Sequence, residues 1–241
     1  MLNAFTETPA RERVIVALDC AKDEALALAD QLQGKASWVK VGMTLYYATG
    51  PSIVQEMKQR GFKVFLDLKF YDIPHQVEGA AYSAALSGAD MLTMHTSGGS
   101  AMMAAAQRGA ERAAEELGGE VPITLGITVL TSMDDACLDS IGVARPMKEQ
   151  VSALASLARE AGISGVVASP REAAELRSVL GPEMFIVTPG VRPAGAAVGD
   201  QSRVATPARA FADGASHIVV GRPITQASDP AAAFDAICAE L

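Results

Sequence analysis

The chain has 241 residues, 49% of them hydrophobic, and a formal net charge of −8. That composition supports a sizeable core, and no apolar run is long enough to predict a membrane span. The negative charge argues against nucleic acid or an anionic membrane as a partner. An anionic small substrate would need a local basic cluster that works against this charge.

The cysteines and the N-terminal segment indicate a reducing compartment. Cys20, Cys137 and Cys238 are far apart and form no CxxC pair, which favours free thiols over a metal or redox site. Residues 1–12 contain no apolar core of signal-peptide length and are interpreted as a short polar lead-in. We therefore expect a cytoplasmic protein.

Short apolar runs rich in β-branched residues recur along the chain, and stretches of helical composition separate them. The spacing is about one βα unit per 30 residues, which is typical of parallel sheets with crossover helices. The predicted strands are 14–19, 38–42, 63–70, 91–95, 122–130, 165–169, 185–190 and 217–221.

Helix boundaries are also marked in the sequence. Ser169 is a predicted N-cap, with Pro170 at the first helical position and Glu172 completing a capping box. Gly181 ends the same helix. Such signals predict that helices alternate with the strands.

Eight βα units can close into a (β/α)8 TIM barrel or form an open, doubly wound sheet. The count of eight favours the barrel, as does the absence of a GxGxxG motif after the first strand. No linker or composition break divides the chain, so we expect one domain over residues 1–241. In such a barrel the polar residues at the C-terminal strand ends carry the chemistry.

The third strand places charges inside the predicted barrel. Because side chains alternate faces, one of its faces is wholly apolar and packs under the helices. Asp67 and Lys69 share the other face near the open end, where they are either a stabilising ion pair or part of a site. The inner face consists of Lys63, Phe65, Asp67 and Lys69.

Further charges are expected at the same mouth. Lys40 lies near the end of the adjacent strand, Asp19 ends the first strand, and Asp72 follows Lys69 in the loop. Packing alone gives no reason to gather three carboxylates and two ammoniums at one barrel mouth. The cluster is therefore interpreted as a functional site.

A second cluster suits a phosphate group. Loops after strands seven and eight of such barrels commonly bind phosphate. Strand eight ends in Gly221 and Arg222, and the long loop after strand seven carries Arg192, Gln201 and Arg203. That loop has no apolar pattern of its own and is interpreted as a lid, with a surface excursion as the alternative.

No metal or cofactor is expected. His75, His95 and His217 are not spaced as ligands, and His217 begins its strand at the end opposite the mouth. His95 ends the fourth strand and is interpreted as a wall residue of the mouth.

The ordered motifs VALD, KVG, DLKFYDIP, HTSGG, TVLTSM, TPGVRP, GDQ and VVGRPIT span nearly the whole chain. Together they resemble the orotidine 5′-monophosphate decarboxylase family, and DLKFYDIP, Asp67 to Pro74, is the specific part. The resemblance implies a barrel of the ribulose-phosphate-binding type. It also implies decarboxylation of orotidine 5′-monophosphate to uridine 5′-monophosphate in de novo pyrimidine synthesis.

The resemblance also implies roles for the charged cluster. Lys69 is the expected general acid that protonates C6, and Asp67 is expected to lie against the departing carboxylate. Lys40 and Asp19 are expected to hold the ribose hydroxyls. The implied residues for the pyrimidine and phosphate are Thr131, Ser132, Pro189, Arg192, Gln201, Gly221 and Arg222.

A homodimer with shared sites is implied as well, in which Asp72 and Ile73 reach the neighbouring subunit's site. Members of the family usually have Asn-Thr directly after the Asp-Ile-Pro of this motif, and that Thr contacts the ligand of the neighbouring subunit. This chain has His75 and Gln76 instead. Gln76 keeps the ability to donate and accept hydrogen bonds, but its side chain is longer.

Two other functions fit parts of the pattern. A magnesium-dependent aldolase of the hexulose-phosphate synthase type carries a similar Asp-x-Lys-x-x-Asp on the same barrel. The Ile-Pro after Asp72 and the TSM after strand five favour the decarboxylase instead. A non-catalytic, phosphate-sensing barrel is the third possibility.

Overall fold

The structure, a computed structural model, describes residues 3–193 and 205–241. Its parallel strands form a closed barrel in sequential order, and β8 pairs with β1. The strands are β1 (Val14–Ala17), β2 (Trp38–Gly42), β3 (Lys63–Phe70), β4 (Met91–His95), β5 (Ile123–Ile127), β6 (Gly165–Val167), β7 (Phe185–Thr188) and β8 (His217–Val220).

Helices surround the barrel and connect its strands. In the described part of the chain, no helix is both long and apolar enough to cross a membrane. The helices are α1 (Ala10–Arg13), α2 (Lys22–Leu32), α3 (Met43–Thr49), α4 (Ser52–Gln59), α5 (Pro74–Leu86), α6 (Ser100–Leu117), α7 (Asp135–Ser140), α8 (Met147–Glu160), α9 (Ala173–Leu180), α10 (Pro207–Ala212), α11 (Arg222–Thr225) and α12 (Pro230–Ala239).

The predicted (β/α)8 barrel is confirmed. Strands β2, β3 and β4 have the predicted bounds, whereas the other strands stop one to three residues earlier than predicted. The first residue beyond several of these ends still donates to the neighbouring strand, as Leu18 does to Lys40 and Ala168 to Val187, before the chain enters the loops. Those loops form the mouth of the barrel.

Two hydrophobic layers stabilise the barrel. The outer layer lies between strands and helices, and the inner layer fills the barrel below its mouth. Inner side chains come from alternate strand positions, as period-two geometry requires. The fully or nearly buried inner residues are Ile15, Ala17, Trp38, Phe65, Met91, Leu125, Val187 and Val219.

Aromatic side chains close the barrel at the end opposite the mouth. His217 begins β8 there, as predicted, and its ring lies 6.0 Å from Trp38 and 5.6 Å from Phe185. Phe5, from the predicted lead-in, packs on Phe185 at 4.7 Å. Burial, and then the positive charge of Arg13, lowers the pKa of His217 to about 3. The imidazole is thus a neutral part of the core.

The capping box predicted at Ser169 is confirmed. Its hydroxyl accepts a hydrogen bond from the Arg171 amide, and its own amide donates to Glu172 Oε2 at 2.9 Å. The first turn is a 3-10 helix over Pro170–Glu172, and α9 continues from it. The helix ends at Gly181, whose φ of 78° suits glycine.

Helices α5 and α6 pack unusually close together beside β3. A Cβ at Gly109 of α6 would lie far inside van der Waals contact of the Glu78 carbonyl oxygen on α5. That contact is with the backbone, so it cannot be relieved by rotating a side chain. Gly109 therefore fixes the position of α5, the helix that begins within the DLKFYDIP motif.

We expect Gly109→Ala to lower the free energy of unfolding by about 1–3 kcal/mol, because the added methyl group forces the two helices apart. Urea unfolding followed by circular dichroism measures the change. Gly119→Ala is the matched control, since a Cβ at that position meets no atom within 4 Å. Equal stabilities of the two variants would contradict the close-packing argument.

Candidate active site

The C-terminal ends of the strands surround a cavity of about 470 Å³, a size typical of small-molecule sites. Its floor is apolar and its walls carry the charged and glycine-rich segments. The floor consists of inner-face residues from five strands. They are Ala17, Phe65, Ile127, Val167 and Val219.

One wall holds a chain of alternating charges. The Nζ of Lys40 donates to Asp19 Oδ1 at 2.8 Å and lies 3.5 Å from Asp67 Oδ2. On the other side, the Nζ of Lys69 donates to Asp67 Oδ1 at 2.8 Å. The order along the wall is Asp19, Lys40, Asp67, Lys69, so each charge has a partner of opposite sign. The structure brings together four of the five charges predicted for the site.

Burial makes this pairing necessary. The side chains of Lys40 and Asp67 are only 10% and 12% exposed, and an unpaired charge there would be costly. Burial alone would lower the pKa of Lys40, but the carboxylates of Asp67 and Asp19 outweigh it and raise the pKa. Burial would likewise raise the pKa of Asp67, but Lys40 and Lys69 hold it below its usual range. Both groups are therefore charged at neutral pH.

The end of β3 departs from regular strand geometry. Leu66 pairs with Leu92 and Phe70 with Met94, so three residues of β3 lie opposite one residue of β4. Lys69 has a φ of 53°, the one positive φ of a non-glycine residue in the described chain. Such a conformation costs about 1–3 kcal/mol and is found at functional sites. The predicted alternation nevertheless holds, since Asp67 and Lys69 both reach the cavity.

Thr93 is not among the residues that the sequence predicts for the site. It is the β4 residue opposite the irregular end of β3, and it is fully buried. Its hydroxyl donates to Asp67 Oδ1 at 2.9 Å and accepts a hydrogen bond from the Lys69 amide at 2.9 Å. The sequence does contain a signal that could have identified Thr93. The period-two pattern of β4 places it on the same inner face as Met91 and His95.

A second wall of the cavity, which adjoins the charged wall because β8 pairs with β1, is rich in glycine and arginine. It is formed by the segments that follow β7 and β8, as predicted for a phosphate site. The base of the loop after β7 is held by a bridge in which the Arg192 amide donates to the Ala205 carbonyl at 3.0 Å. Gln201 and Arg203 lie outside the described residues. The lining residues here are Pro189, Gly190, Arg192, Gly221, Arg222, Thr225 and Gln226.

Several predicted site residues do not line the cavity of the single chain. Asp72 and Gln76 are exposed, and Ile73 is 64% exposed at the N-cap of α5. Ser132 is also exposed and outside the lining, whereas its neighbour Thr131 lines the cavity. Within one chain the cavity therefore contains the β3 part of the motif but not its loop.

His95 lies at the mouth near Lys69. Burial, and then the positive charge of Lys69, lowers the pKa of His95, and its ring packs edge-on against Tyr71 at 5.5 Å.

Within residues 3–193 and 205–241, no group of three or more His, Cys, Asp or Glu side chains is arranged to hold a metal ion.

Comparisons with known proteins agree with this geometry. Residues 12–237 match the model of the orotidine 5′-phosphate decarboxylase / HUMPS family. The chain is 50% identical over 235 residues to an orotidine 5′-phosphate decarboxylase of Moorella thermoacetica, covering 96% of this chain and 93% of that protein. It is 51% identical over 232 residues to an orotidine 5′-phosphate decarboxylase of Alkalilimnicola ehrlichii, and this match covers 95% of this chain and 96% of that protein.

A solved structure is similar over the same length. The crystal structure of orotidine 5′-phosphate decarboxylase from Lactobacillus acidophilus superposes with a TM-score of 0.85 at 40% identity, covering 95% of this chain and 98% of that one. The match of family model, full-length relatives and barrel structure leads to one assignment. The chain belongs to the orotidine 5′-phosphate decarboxylase / HUMPS family.

Proposed function

We propose that this protein is a carboxy-lyase that converts orotidine 5′-monophosphate into uridine 5′-monophosphate and carbon dioxide in de novo pyrimidine biosynthesis. The observation that carries the proposal is the wall of alternating charges that ends in Lys69. The names of the relatives at 50% and 51% identity point to the same activity. None of the steps of this reaction requires a cofactor.

The chemistry explains why an ammonium is needed. When the bond between C6 and the carboxylate breaks, its electron pair stays on C6 in an sp² orbital that lies in the ring plane, orthogonal to the ring π system, so the charge is not delocalised. Carbon dioxide leaves, and Lys69 transfers a proton from Nζ to C6. A fixed positive charge stabilises the developing carbanion and then supplies the proton. Solvent reprotonates the amine after product release.

The other charges of the wall orient this ammonium. Asp67 holds Nζ of Lys69 at 2.8 Å, and in the proposed complex it lies against the departing carboxylate. Repulsion between the two carboxylates raises the energy of the bound substrate and is relieved as carbon dioxide leaves. Lys40, which bridges Asp67 and Asp19, holds the ribose hydroxyls together with Asp19.

Phosphate binding is assigned to the second wall, formed by the segments after β7 and β8. Arg192 and Arg222 supply positive charge, Gly221 allows the phosphate to approach the backbone, and Gln201 completes the set. This site is remote from C6, so its binding energy can order the active site without touching the reacting atoms. Enzymatic rate enhancements reach ~10¹⁷, roughly 23 kcal/mol, which no single contact supplies.

In the proposed complex, the pyrimidine ring lies between the C6 end at Lys69 and the base of the wall assigned to the phosphate. Thr131, Ser132 and Pro189 are the proposed contacts to the base. Thr131 and Pro189 line the cavity, while Ser132 follows Thr131 in the same turn. Contact by Ser132 requires that this turn move toward the bound base.

We also propose a homodimer with shared sites. Ile73 and Tyr71 are large apolar side chains that are 64% and 62% exposed, which suits a subunit interface. Asp72 lies between them and, in the dimer, completes the partner's charged wall. Gln76, on the first turn of α5, contacts the partner's ligand at the position where the family usually has Thr.

Residues 1–241 form one barrel domain, with 1–12 as a lead-in whose Phe5 packs against the barrel. A cytoplasmic location is supported by three free cysteines, which suit a reducing compartment. The net charge of −8 supports a small-molecule enzyme that binds neither nucleic acid nor membrane.

The activity is tested by following the absorbance of orotidine 5′-monophosphate with and without EDTA. We expect complete turnover that the chelator leaves unchanged, because the residues assigned above perform each step. A magnesium-dependent aldolase would not consume this substrate. No turnover, or turnover that EDTA abolishes, would contradict the proposed function.

Lys69→Ala is expected to lower kcat by roughly 10⁴-fold or more, since it removes both the general acid and the charge that stabilises the carbanion. Binding of uridine 5′-monophosphate, measured by calorimetry, should persist. Lys63→Ala is the matched control, because Lys63 lies on the same strand at its exposed opposite end. Normal turnover by Lys69→Ala would refute the assigned role of Lys69 as general acid.

Shared sites are tested by mixing Lys69→Ala subunits with Asp72→Ala subunits. Each variant should be inactive alone, but a hybrid dimer holds one intact site beside one site with both changes. Random exchange should restore about a quarter of wild-type activity, because half of the dimers are hybrids. Absence of recovery, with exchange demonstrated by differently tagged subunits, would place Asp72 in its own subunit's site.

A further inference from the structure

The hydroxyl of Thr93 connects the backbone of Lys69 to the carboxylate that holds its side chain. A hydroxyl has one proton, and here it is donated to Asp67 Oδ1 at 2.9 Å. The oxygen is left to accept the amide proton of Lys69, also at 2.9 Å. The same Oδ1 accepts from Lys69 Nζ at 2.8 Å. Three residues thus form a closed ring of hydrogen bonds.

The irregular pairing of β3 and β4 makes this ring necessary. Between the pairs Leu66–Leu92 and Phe70–Met94, three residues of β3 face only Thr93. One β4 residue cannot satisfy three on β3 through the main chain alone, so the part-buried Lys69 amide donates to the Thr93 side chain.

We propose that Thr93 is a positioning residue for the decarboxylation assigned above, which holds Lys69 in its left-handed backbone conformation and fixes the direction of its Nζ. This inference rests on the proposed function. A lysine in the ordinary extended conformation would project from a different direction. Because φ of Lys69 is 53°, the residue needs a restraint that favours this conformation over the relaxed one.

Thr93 also fixes the rotation of the Asp67 carboxylate. Oδ1 accepts from both Thr93 and Lys69, so Oδ2 is turned toward Lys40, 3.5 Å away. Without the hydroxyl, the carboxylate could rotate and divide its hydrogen bonds differently between the two ammoniums. The position of the proton donor relative to C6 would then vary, and such misplacement is costly for turnover.

The effect should appear in turnover and not in nucleotide affinity. Thr93 is fully buried and does not line the cavity, so it does not touch a bound nucleotide. The wall assigned to the phosphate does not contact Thr93, and Lys40 keeps its hydrogen bond to Asp19 at 2.8 Å, so removal of the hydroxyl leaves the main nucleotide contacts in place. A residue that only stabilised the fold would not separate these two quantities.

The test compares Thr93→Val, which removes the hydroxyl at nearly constant shape, with Thr93→Ser, which keeps it. Thr93→Val should lower kcat roughly 10- to 100-fold, while the Kd for uridine 5′-monophosphate changes less than about threefold. Thr93→Ser should restore kcat to within about threefold of wild type. Thr124→Val is the matched control, a fully buried threonine whose hydroxyl bonds to Gln107 on the outer side of β5.

Crystal structures of the wild type and of Thr93→Val provide a readout that does not depend on activity. We expect Lys69 to have a positive φ in the wild type and to lose it in the variant, together with the contact between Nζ and Asp67. A positive φ retained in Thr93→Val would overturn the proposal. If the wild type fails to consume orotidine 5′-monophosphate, the proposed function is wrong, and these structures still decide whether Thr93 holds Lys69.

Other outcomes are equally decisive. Turnover of Thr93→Val within about threefold of wild type, or an equal loss in Thr124→Val, would overturn the positioning role. If Thr93→Val does not fold, Thr93→Ala provides the same comparison. Failure of both to fold, with Thr93→Ser inactive, would assign Thr93 to folding and not to positioning.

Discussion

The active-site end of the barrel depends on a buried carboxylate held between two ammoniums. Asp67 would be costly to bury alone, and Lys40 and Lys69 offset that cost by direct pairing. The strand register makes this possible, because Gly42 at the end of β2 lies opposite Asp67. A Cβ at Gly42 would lie 2.9 Å from Asp19 Oδ1 and 3.1 Å from Lys40 Nζ, so a side chain there would displace this ion pair from its present position.

The apolar interior of the barrel strengthens the electrostatic interactions among these charged side chains. Below the charged wall, the barrel is filled by apolar side chains such as Phe65 and Val219, and the opposite end is closed by aromatic rings around His217. Water is excluded from below, and electrostatic interactions are stronger in such surroundings than in bulk solvent.

Much of this architecture can be read from local patterns. The strand composition, the capping box at Ser169 and the inward face of β3 depend on residues close in sequence, so period and capping rules apply directly. The gathering of Asp19, Lys40, Asp67 and Lys69 also follows from the sequence, once the barrel is assumed, because parallel strands end at the same edge. The positions of Asp72 and Ser132 relative to a ligand do not follow from one chain.

The sequence by itself therefore determined the barrel, the inward direction of the charged residues and the family. Only the tertiary structure decided the irregular pairing of β3 with β4, the left-handed conformation of Lys69 and the role of Thr93. The contact between Lys69 and Thr93 joins residues 24 positions apart. No local periodicity specifies such a contact, because it depends on the exact register of two strands, and that register is set by packing throughout the barrel.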